Sequence, residues 1–336
     1  MKMSMKHLSS LAIALIGSAV VILLVLPLFC FTAMTRNPAK ALVVTSDVSH
    51  FWQAFDAAAK AAPNERTAVY QRLYIDRASP GLKDFLAQRH VTAASLTQHV
   101  EANRAYYLKI RARIGEVVDQ KLMIETAFHR LKRLYSDIEF PKHVYFVVGP
   151  QRGAGMSSAH GIILAAEMFA TPPGTPYGYN KAYPSDVAFV VVHETIHFNQ
   201  TFQPGEHSTL LQNVVTEGSA DFIASLVLPE PDVRQYTDRW HYGCAHETAL
   251  AARFAVDQGM TSTGPWMYNH HPDTGWPPDM GYWLGYRIDQ TYYDHTDKKA
   301  ALRAMLQVTD FNTFLKTSGY PQNRPVCAVQ QVAHPL

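Results

Sequence analysis

The chain has 336 residues, of which 47% are hydrophobic and 17% are charged, and this composition excludes an intrinsically disordered protein. A chain of this length and composition can form one large catalytic domain, or two small ones, with a buried core. Lys2 and Lys6 precede a hydrophobic segment, and without them 28 Lys and Arg residues balance 28 Asp and Glu residues. A neutral body offers no basic surface to phosphates, so we do not expect nucleic acid as a partner.

Residues 1–34 are predicted to be a signal anchor or a signal peptide. The run Leu11–Ala33 carries no charge, and an apolar run of about 18 residues or more can span a bilayer as a helix. This length favours an uncleaved anchor, because the apolar core of a signal peptide is usually about 7–15 residues long. The alternative is a cleaved signal peptide, with a small-x-small site at Ala39–Ala41. Cys30 follows the bulky Phe29, which does not fit a lipid-attachment site.

The two lysines before this run place the N-terminus inside the cell. The rest of the chain is then expected in the periplasm or outside the cell, anchored to the membrane, or secreted if the segment is cleaved. Cys244 and Cys327 are the two cysteines after the segment, and an exported body allows them to form a disulfide. Two unpaired buried thiols are the equally weighted alternative.

Residues 45–138 are predicted to form a helical N-terminal region. Apolar residues recur at spacings of three and four between Val91 and Leu134, which is the period of an amphipathic helix. Pro63 and Pro80 interrupt the region, so it should contain at least three helices.

Residues 139–336 are predicted to form the catalytic domain, which begins with a small sheet. His143–Gly149 is rich in β-branched and aromatic residues and is predicted to be a strand, and Gly161–Phe169 is predicted to be another. The glycine-rich stretch Gly149–Gly155 lacks the Gly-Lys-Ser/Thr ending of a phosphate-binding loop and is interpreted as a turn.

Helices are predicted to follow the sheet. Ser185 is expected to cap a helix that continues to Gln200, and a second helix should run from near Ser208 to Pro229. A long loop rich in proline is expected at Thr261–Pro278. Three further helices are expected near His246–Gln258, Tyr282–Tyr293 and Lys298–Leu306. The predicted fold class is therefore α+β and mostly helical.

The segment His193-Glu194-Thr195-Ile196-His197 carries the strongest chemical signal. Positions i and i+4 of a helix share one face, so both imidazoles can reach one metal ion at about 2.0–2.1 Å. Glu194 points to the side of the metal, where it can take a proton from bound water as a general base. The alternative is an ordinary helix with two surface histidines, but the apolar residues 188–192 favour buried histidines that need a partner.

Glu217, on the next predicted helix, is the candidate third ligand. Asp221 lies four residues later on the same face, where its carboxylate can accept the second ring proton of a ligating histidine. A solvated acidic face is the alternative, which the apolar neighbours of both acids oppose. A third ligand in the loop near His270 and His271 also stays open.

HETIH followed by TEGSADF resembles the pattern of the gluzincin metallopeptidases, which is HExxH and then ExxxD. Within that group the chain is most similar to the DUF2268 family of predicted zinc-dependent proteases, which is related to a gliding-motility lipoprotein. The likeness covers roughly Pro141 to Tyr320 and includes GYWLGYRIDQTYYDH, Gly281–His295.

The resemblance implies a zincin-like catalytic domain with an active-site helix that carries HExxH. It implies one Zn²⁺ ion held by His193, His197 and Glu217, with Glu194 as catalytic base and Asp221 behind His193. It also implies that the strand Gly161–Phe169 is the sheet edge that pairs with an extended substrate.

The predicted function is zinc-dependent hydrolysis of peptide bonds by a metal-activated water, with Glu194 as general base. A peptide or protein would be the substrate, and the membrane would be a partner through the N-terminal segment. Tyr282 and Tyr286 share a predicted helical face and are candidates to stabilise the oxyanion, although packing is the alternative role for each.

Two other functions stay open. One is a non-catalytic, membrane-anchored envelope protein that keeps the metallopeptidase fold for binding or assembly. The other is a zinc hydrolase that acts on a non-peptide bond. The presence of Glu194 favours catalysis, because a binding module has no need of a general base.

Overall fold

The computed structural model describes residues 34–172, 182–228, 238–268 and 274–327. The predicted signal segment Leu11–Ala33 and the alternative ligands His270 and His271 lie outside these ranges. No helix within the described ranges has both the length and the apolar character needed to cross a bilayer.

The predicted helical N-terminal region is confirmed. Both prolines act as helix starts, because Pro63 opens a 3-10 turn before a helix and Pro80 is the first residue of another. Ser79 caps that second helix, since its Oγ accepts the Leu82 N–H at 3.1 Å. Six helices form the region: α1 Ser46–Ala58, α2 Arg66–Leu73, α3 Pro80–Gln88, α4 Ala93–Ala102, α5 Arg104–Val118 and α6 Lys121–Leu134.

The described strands form two small sheets. They are β1 Met34–Thr35, β2 Leu42–Val44, β3 Phe140–Pro141, β4 His143–Val147, β5 Gly155–Ser158 and β6 Gly161–Ala165. β1 pairs with β3, and the larger sheet has the order β2-β4-β6-β5. β2, β4 and β6 are parallel, whereas β5 runs antiparallel to β6. The two predicted strands are confirmed, although β6 ends at Ala165 and a 3-10 turn follows it.

The prediction that Gly161–Phe169 forms a sheet edge is wrong. β6 lies between β4 and β5, and β5 takes the edge position beside it. A tight hairpin joins the two strands, with Ser158 opposite Gly161, whose φ of 141° suits glycine. β5 has only four residues, GMSS, and carries neither aliphatic β-branched nor aromatic side chains, so its composition gave no strand signal.

The helices after the sheet include all those that were predicted. They are α7 Val187–Asn199, α8 Leu210–Ser225, α9 Asp238–Asp257, α10 Met280–His295, α11 Lys298–Leu306 and α12 Phe311–Ser318. α9 starts at Asp238, before the predicted start near His246. The backbone departs from helical geometry at His246, and the sequence predicted only the part of the helix that follows this residue. α12 was not predicted.

The start of α7 differs from the prediction. Ser185 is not its cap; it lies inside a 3-10 turn, Pro184–Asp186, that leads into the helix. Asp186 closes this turn, because its Oδ2 accepts the Tyr183 N–H at 2.8 Å. Asp186 thus supplies the side-chain oxygen that was expected from Ser185.

The α+β, mostly helical class is confirmed, and the buried apolar side chains form one core from Ala41 to Tyr320. β2 precedes the helical region yet pairs with β4 after it, so the sheet ties the two parts together. Cys244 and Cys327 form the predicted disulfide, which joins α9 to the segment after α12. The zincin-like description and the division between residues 138 and 139 stay predictions.

Candidate metal centre

Two packed helices bring the three predicted ligands together. His193 and His197 lie on one face of α7, and their Nε2 atoms are 3.0 Å apart. Glu217 on α8 places Oε2 at 3.2 Å from each of these nitrogens. Within the described ranges this is the one group of three or more His, Cys, Asp or Glu residues whose ligand atoms are close enough to hold a metal ion. Ligand atoms around a tetrahedral zinc ion, with bonds of about 2.0–2.1 Å, lie about 3.3 Å apart, so this donor set fits zinc.

The outer ring nitrogens of both histidines are fixed by neighbouring side chains. His193 Nδ1 lies 2.8 Å from Asp221 Oδ1, where the sequence predicted this carboxylate. His197 Nδ1 lies 2.7 Å from Gln200 Oε1, and Gln200 in turn donates to the Thr216 carbonyl at 2.8 Å. Because both acceptors require a proton on Nδ1, each Nε2 is left as the nitrogen that can bind a metal.

The buried groups of the cluster shift one another's pKa values. Burial alone would lower the pKa of His193, but hydrogen bonds to Asp221 and Glu217 outweigh burial and raise this pKa to about 10. Burial is the largest single effect on His197 and lowers its pKa, but the Glu217 hydrogen bond and the charges of Glu217 and Glu194 together raise this pKa above its ordinary value. Burial would raise the pKa of Glu217, but its bonds to both imidazoles hold this pKa well below its ordinary value. The same carboxylates that favour protonated imidazoles here would favour a divalent cation at this position.

Glu194 faces the edge of the larger sheet. Its Oε2 accepts a hydrogen bond from Ser157 Oγ at 3.1 Å, and Ser157 lies on β5. Glu194 Oε1 lies over Gly155 of the same strand, where an added Cβ would approach it to 3.5 Å. The predicted base therefore lies between the histidine helix and β5, beside the three ligands and not among them.

Of the two tyrosines predicted to stabilise an oxyanion, the structure brings one to the cluster. The Tyr282 ring stacks on His193, with ring centroids 6.4 Å apart and planes 26° apart. The Tyr286 hydroxyl instead lies 3.2 Å from Ser225 Oγ, and its ring packs edge-on against Phe222. One helical turn of about 5.4 Å separates the two tyrosines, so a shared face does not give them the same neighbours.

Three residues that contact the site were not predicted. Tyr268 donates its hydroxyl to Glu217 Oε1 at 2.9 Å, Ser157 contacts Glu194, and Gln200 contacts His197. Gln200 had a usable signal, because it lies three residues after His197 at the end of α7. Ser157 lies on a strand that was not predicted, and Tyr268 lies in a loop. No periodic pattern in the sequence therefore indicated that either residue reaches the site.

The chain matches the family model described as gliding motility protein GldB over residues 35–322. No curated protein and no solved structure matches the chain. The matched range includes all three candidate ligands, Glu194 and Asp221.

The predicted membership of the gluzincin metallopeptidases, closest to DUF2268, is wrong. The model that matches is that of a gliding motility lipoprotein family, and no peptidase or DUF2268 model matches. Short metal motifs specify ligand chemistry and recur in different families, so HExxH with ExxxD did not identify this one. The lipoprotein character of the family agrees with the predicted membrane association. Because the match spans residues 35–322 of 336, the chain belongs to the gliding motility protein GldB family.

Proposed function

We propose that this chain is a membrane-associated envelope protein whose body holds one zinc ion and acts by binding protein partners of a gliding motility assembly. The family match supports the membrane association and the link to gliding motility. The observation that carries the zinc centre is the triangle of His193 Nε2, His197 Nε2 and Glu217 Oε2, with sides of 3.0, 3.2 and 3.2 Å.

The donor types select the metal. Two imidazoles and one carboxylate are typical zinc ligands, whereas calcium and magnesium prefer all-oxygen sites. Asp221 and Gln200 hold the imidazoles in the orientation that ligation needs. The site is largely buried, since the side chains of His193 and Glu217 are 13% and 12% exposed. A buried group of this kind needs a cation or protons to balance its carboxylates.

Metal analysis of the purified full chain tests this proposal. We expect one zinc ion per chain and its loss in His193→Ala, His197→Ala and Glu217→Ala. His160→Ala is the matched control, because His160 is exposed and its Nδ1 contacts Asp84 at 2.7 Å away from the cluster. A wild-type chain that takes up no zinc in competition with a weak chelator would end the proposal.

Hydrolysis of peptide bonds is the second candidate function, and the placement of Glu194 favours it. When bound, zinc would lower the pKa of water and polarise a carbonyl group. Glu194 would accept the proton from that water and deliver it to the leaving amine. Ser157 holds the Glu194 carboxylate in place from β5. Among the described strands β5 pairs with β6 alone, which leaves its other edge for an extended peptide.

A peptidase screen that also includes esters separates hydrolysis from binding alone. If Glu194 is a base, Glu194→Gln should keep zinc and lose about 10²–10⁴-fold in rate. Glu125→Gln is a control carboxylate on α6, where Glu125 pairs with Lys121 at 3.9 Å. A zinc-loaded wild type without activity in the screen would leave the binding role as the function.

A further inference from the structure

The two carboxylate oxygens of Glu217 have different partners. Oε2 lies 3.2 Å from Nε2 of both histidines. Oε1 accepts a hydrogen bond from the Tyr268 hydroxyl at 2.9 Å. The oxygen that is not aimed at the imidazoles is therefore held by a side chain from outside α7 and α8.

Tyr268 is itself fixed by contacts that precede α10. Its backbone N–H donates to Asp279 Oδ1 at 2.7 Å, and Asp279 lies 3.6 Å from an Arg239 guanidinium nitrogen. Tyr268 has a φ of 57°, a left-handed conformation that is uncommon for an aromatic residue. Such a conformation persists only where the surroundings hold it, and the bonds to Asp279 and Glu217 do so.

Tyr268 is an exposed residue whose hydroxyl reaches a largely buried carboxylate. The residue is 54% exposed, yet its hydroxyl lies against a carboxylate that is 12% exposed. Its ring meets Tyr282 edge-on at 6.2 Å, and Tyr282 stacks on His193.

We infer that Tyr268 is a positioning residue of the metal centre, which restrains Oε1 of Glu217 so that Oε2 alone faces the imidazoles. The inference rests on the proposed zinc site. A carboxylate can bind a metal through one oxygen or both, and a donor on one oxygen favours binding through the other. Three single donors leave the further position that a catalytic or exchangeable zinc site needs.

The test uses Tyr268→Phe in the full chain, which removes only the hydroxyl. Competition with a chromogenic chelator should show zinc affinity weakened by about 10-fold, at the lower end of the effect of such outer contacts. X-ray absorption at the zinc edge should show an added oxygen neighbour, because the freed Oε1 can turn toward the ion. Tyr292→Phe is the control, since the Tyr292 ring stacks on Phe314 of α12, with ring centroids 4.9 Å apart.

Thermal unfolding of the zinc-free variants separates positioning from a general loss of structure. Tyr268→Phe should unfold at the wild-type temperature without zinc and gain less stability than the wild type when zinc is added. With unbound zinc removed, the zinc-edge spectrum reports the ligands of the bound ion, so it decides the matter even if the variant is less stable. Wild-type affinity and a wild-type spectrum in Tyr268→Phe, with zinc lost in Glu217→Ala, would overturn this inference and leave the zinc centre intact. A wild type that binds no zinc would overturn both.

Discussion

Gly218 and Gly285 meet backbone to backbone where α8 crosses α10. A Cβ added to Gly218 would lie 2.2 Å from the Gly285 carbonyl carbon, and a Cβ added to Gly285 would lie 2.0 Å from the Val214 carbonyl oxygen. No larger residue fits at either position without moving a helix. Glu217 directly precedes Gly218, and Tyr282 lies one turn before Gly285, so this crossing sets how both approach His193.

Gly218→Ala should therefore damage both the fold and the site. We expect a loss of roughly 1–3 kcal/mol in the free energy of unfolding, because overpacking forces the helices apart. Zinc affinity should fall in the same variant, since Glu217 would move with α8. Denaturant unfolding and chelator competition measure the two effects.

Gly115→Ala is the matched control for that substitution. Gly115 lies inside α5, and a Cβ added there meets no atom within 4 Å. Alanine is the better helix former, so this variant should gain roughly 0.5–1 kcal/mol and bind zinc as the wild type does. Equal stability of Gly218→Ala and Gly115→Ala would show that the crossing tolerates a side chain.

Zinc affinity should rank the residues around the cluster. Glu217→Ala removes a ligand and should weaken binding most. Asp221→Ala should weaken it by about 10–100-fold, because Asp221 only orients His193. Gln200→Ala should weaken zinc binding by a similar factor, because Gln200 orients His197. A larger effect from Asp221 than from Glu217 would reassign the third ligand.

Gln212→Ala is not a suitable control for this series. Gln212 closes the N-terminus of α8, since its Oε1 accepts the Thr209 N–H at 2.7 Å and its own N–H donates to Thr209 Oγ1. Losing this cap would shift the helix that carries Glu217. Glu125→Ala on α6 is a safer control.

The sequence predicted the parts of the site that depend on spacing within one helix. His193 and His197 share a face of α7, and Glu217 and Asp221 share a face of α8, because the helical period alone fixes both relations. Ser157 and Tyr268 reach the site through tertiary packing. One comes from a short polar edge strand and the other from a left-handed loop position, and neither feature has a periodic signature.

Stability should also depend on the protonation of Glu167. This carboxyl is fully buried, and its Oε1 accepts the Gln151 N–H at 3.2 Å. Burial raises its pKa from 4.5 to about 7. Because the folded chain binds this proton more tightly than the unfolded chain, the stabilisation is complete below about pH 4.5 and is lost as pH rises through about 7.

Glu167→Gln should remove this dependence, since the amide does not ionise. Thermal unfolding between pH 5 and pH 8.5 should show a smaller fall in the free energy of unfolding for the variant than for the wild type. The difference should be at most about 3 kcal/mol, because one pKa unit corresponds to about 1.4 kcal/mol. Parallel curves for the two proteins would mean that Glu167 ionises at its ordinary pKa in the folded chain.

The Cys244–Cys327 disulfide should hold the end of the described chain to α9. Arg324 supports the same attachment through an ion pair with Glu247 at 3.2 Å. Replacing both cysteines by serine should cost about 2–4 kcal/mol, as removal of a disulfide usually does. Thiol labelling of unreduced, denatured protein from the native compartment, in a Cys30→Ser background, should find no free thiol. Two labelled cysteines would reject the bond.

The last prediction concerns where the body lies and what holds it. Met34 pairs with Pro141 in β1 and β3, so the described body begins directly after the uncharged run Leu11–Ala33. We expect a reporter fused after Leu336 to be active only in the exported compartment, because the lysines before the run keep the N-terminus inside. Reporter activity in the cytoplasm would contradict this placement.

Two kinds of anchor remain, and one variant distinguishes them. The lipoprotein character of the family favours a lipid on Cys30, whereas the bulky Phe29 before it favours retention by the apolar run itself. If a lipid is the anchor, Cys30→Ser should lose fatty-acid labelling. The mature, membrane-bound form of the chain should then no longer be found. If the run is the anchor, Cys30→Ser should fractionate with the membrane as the wild type does, because about 18 apolar residues suffice to span a bilayer. Release of the wild-type chain by salt alone would contradict both anchors, since neither depends on surface charge.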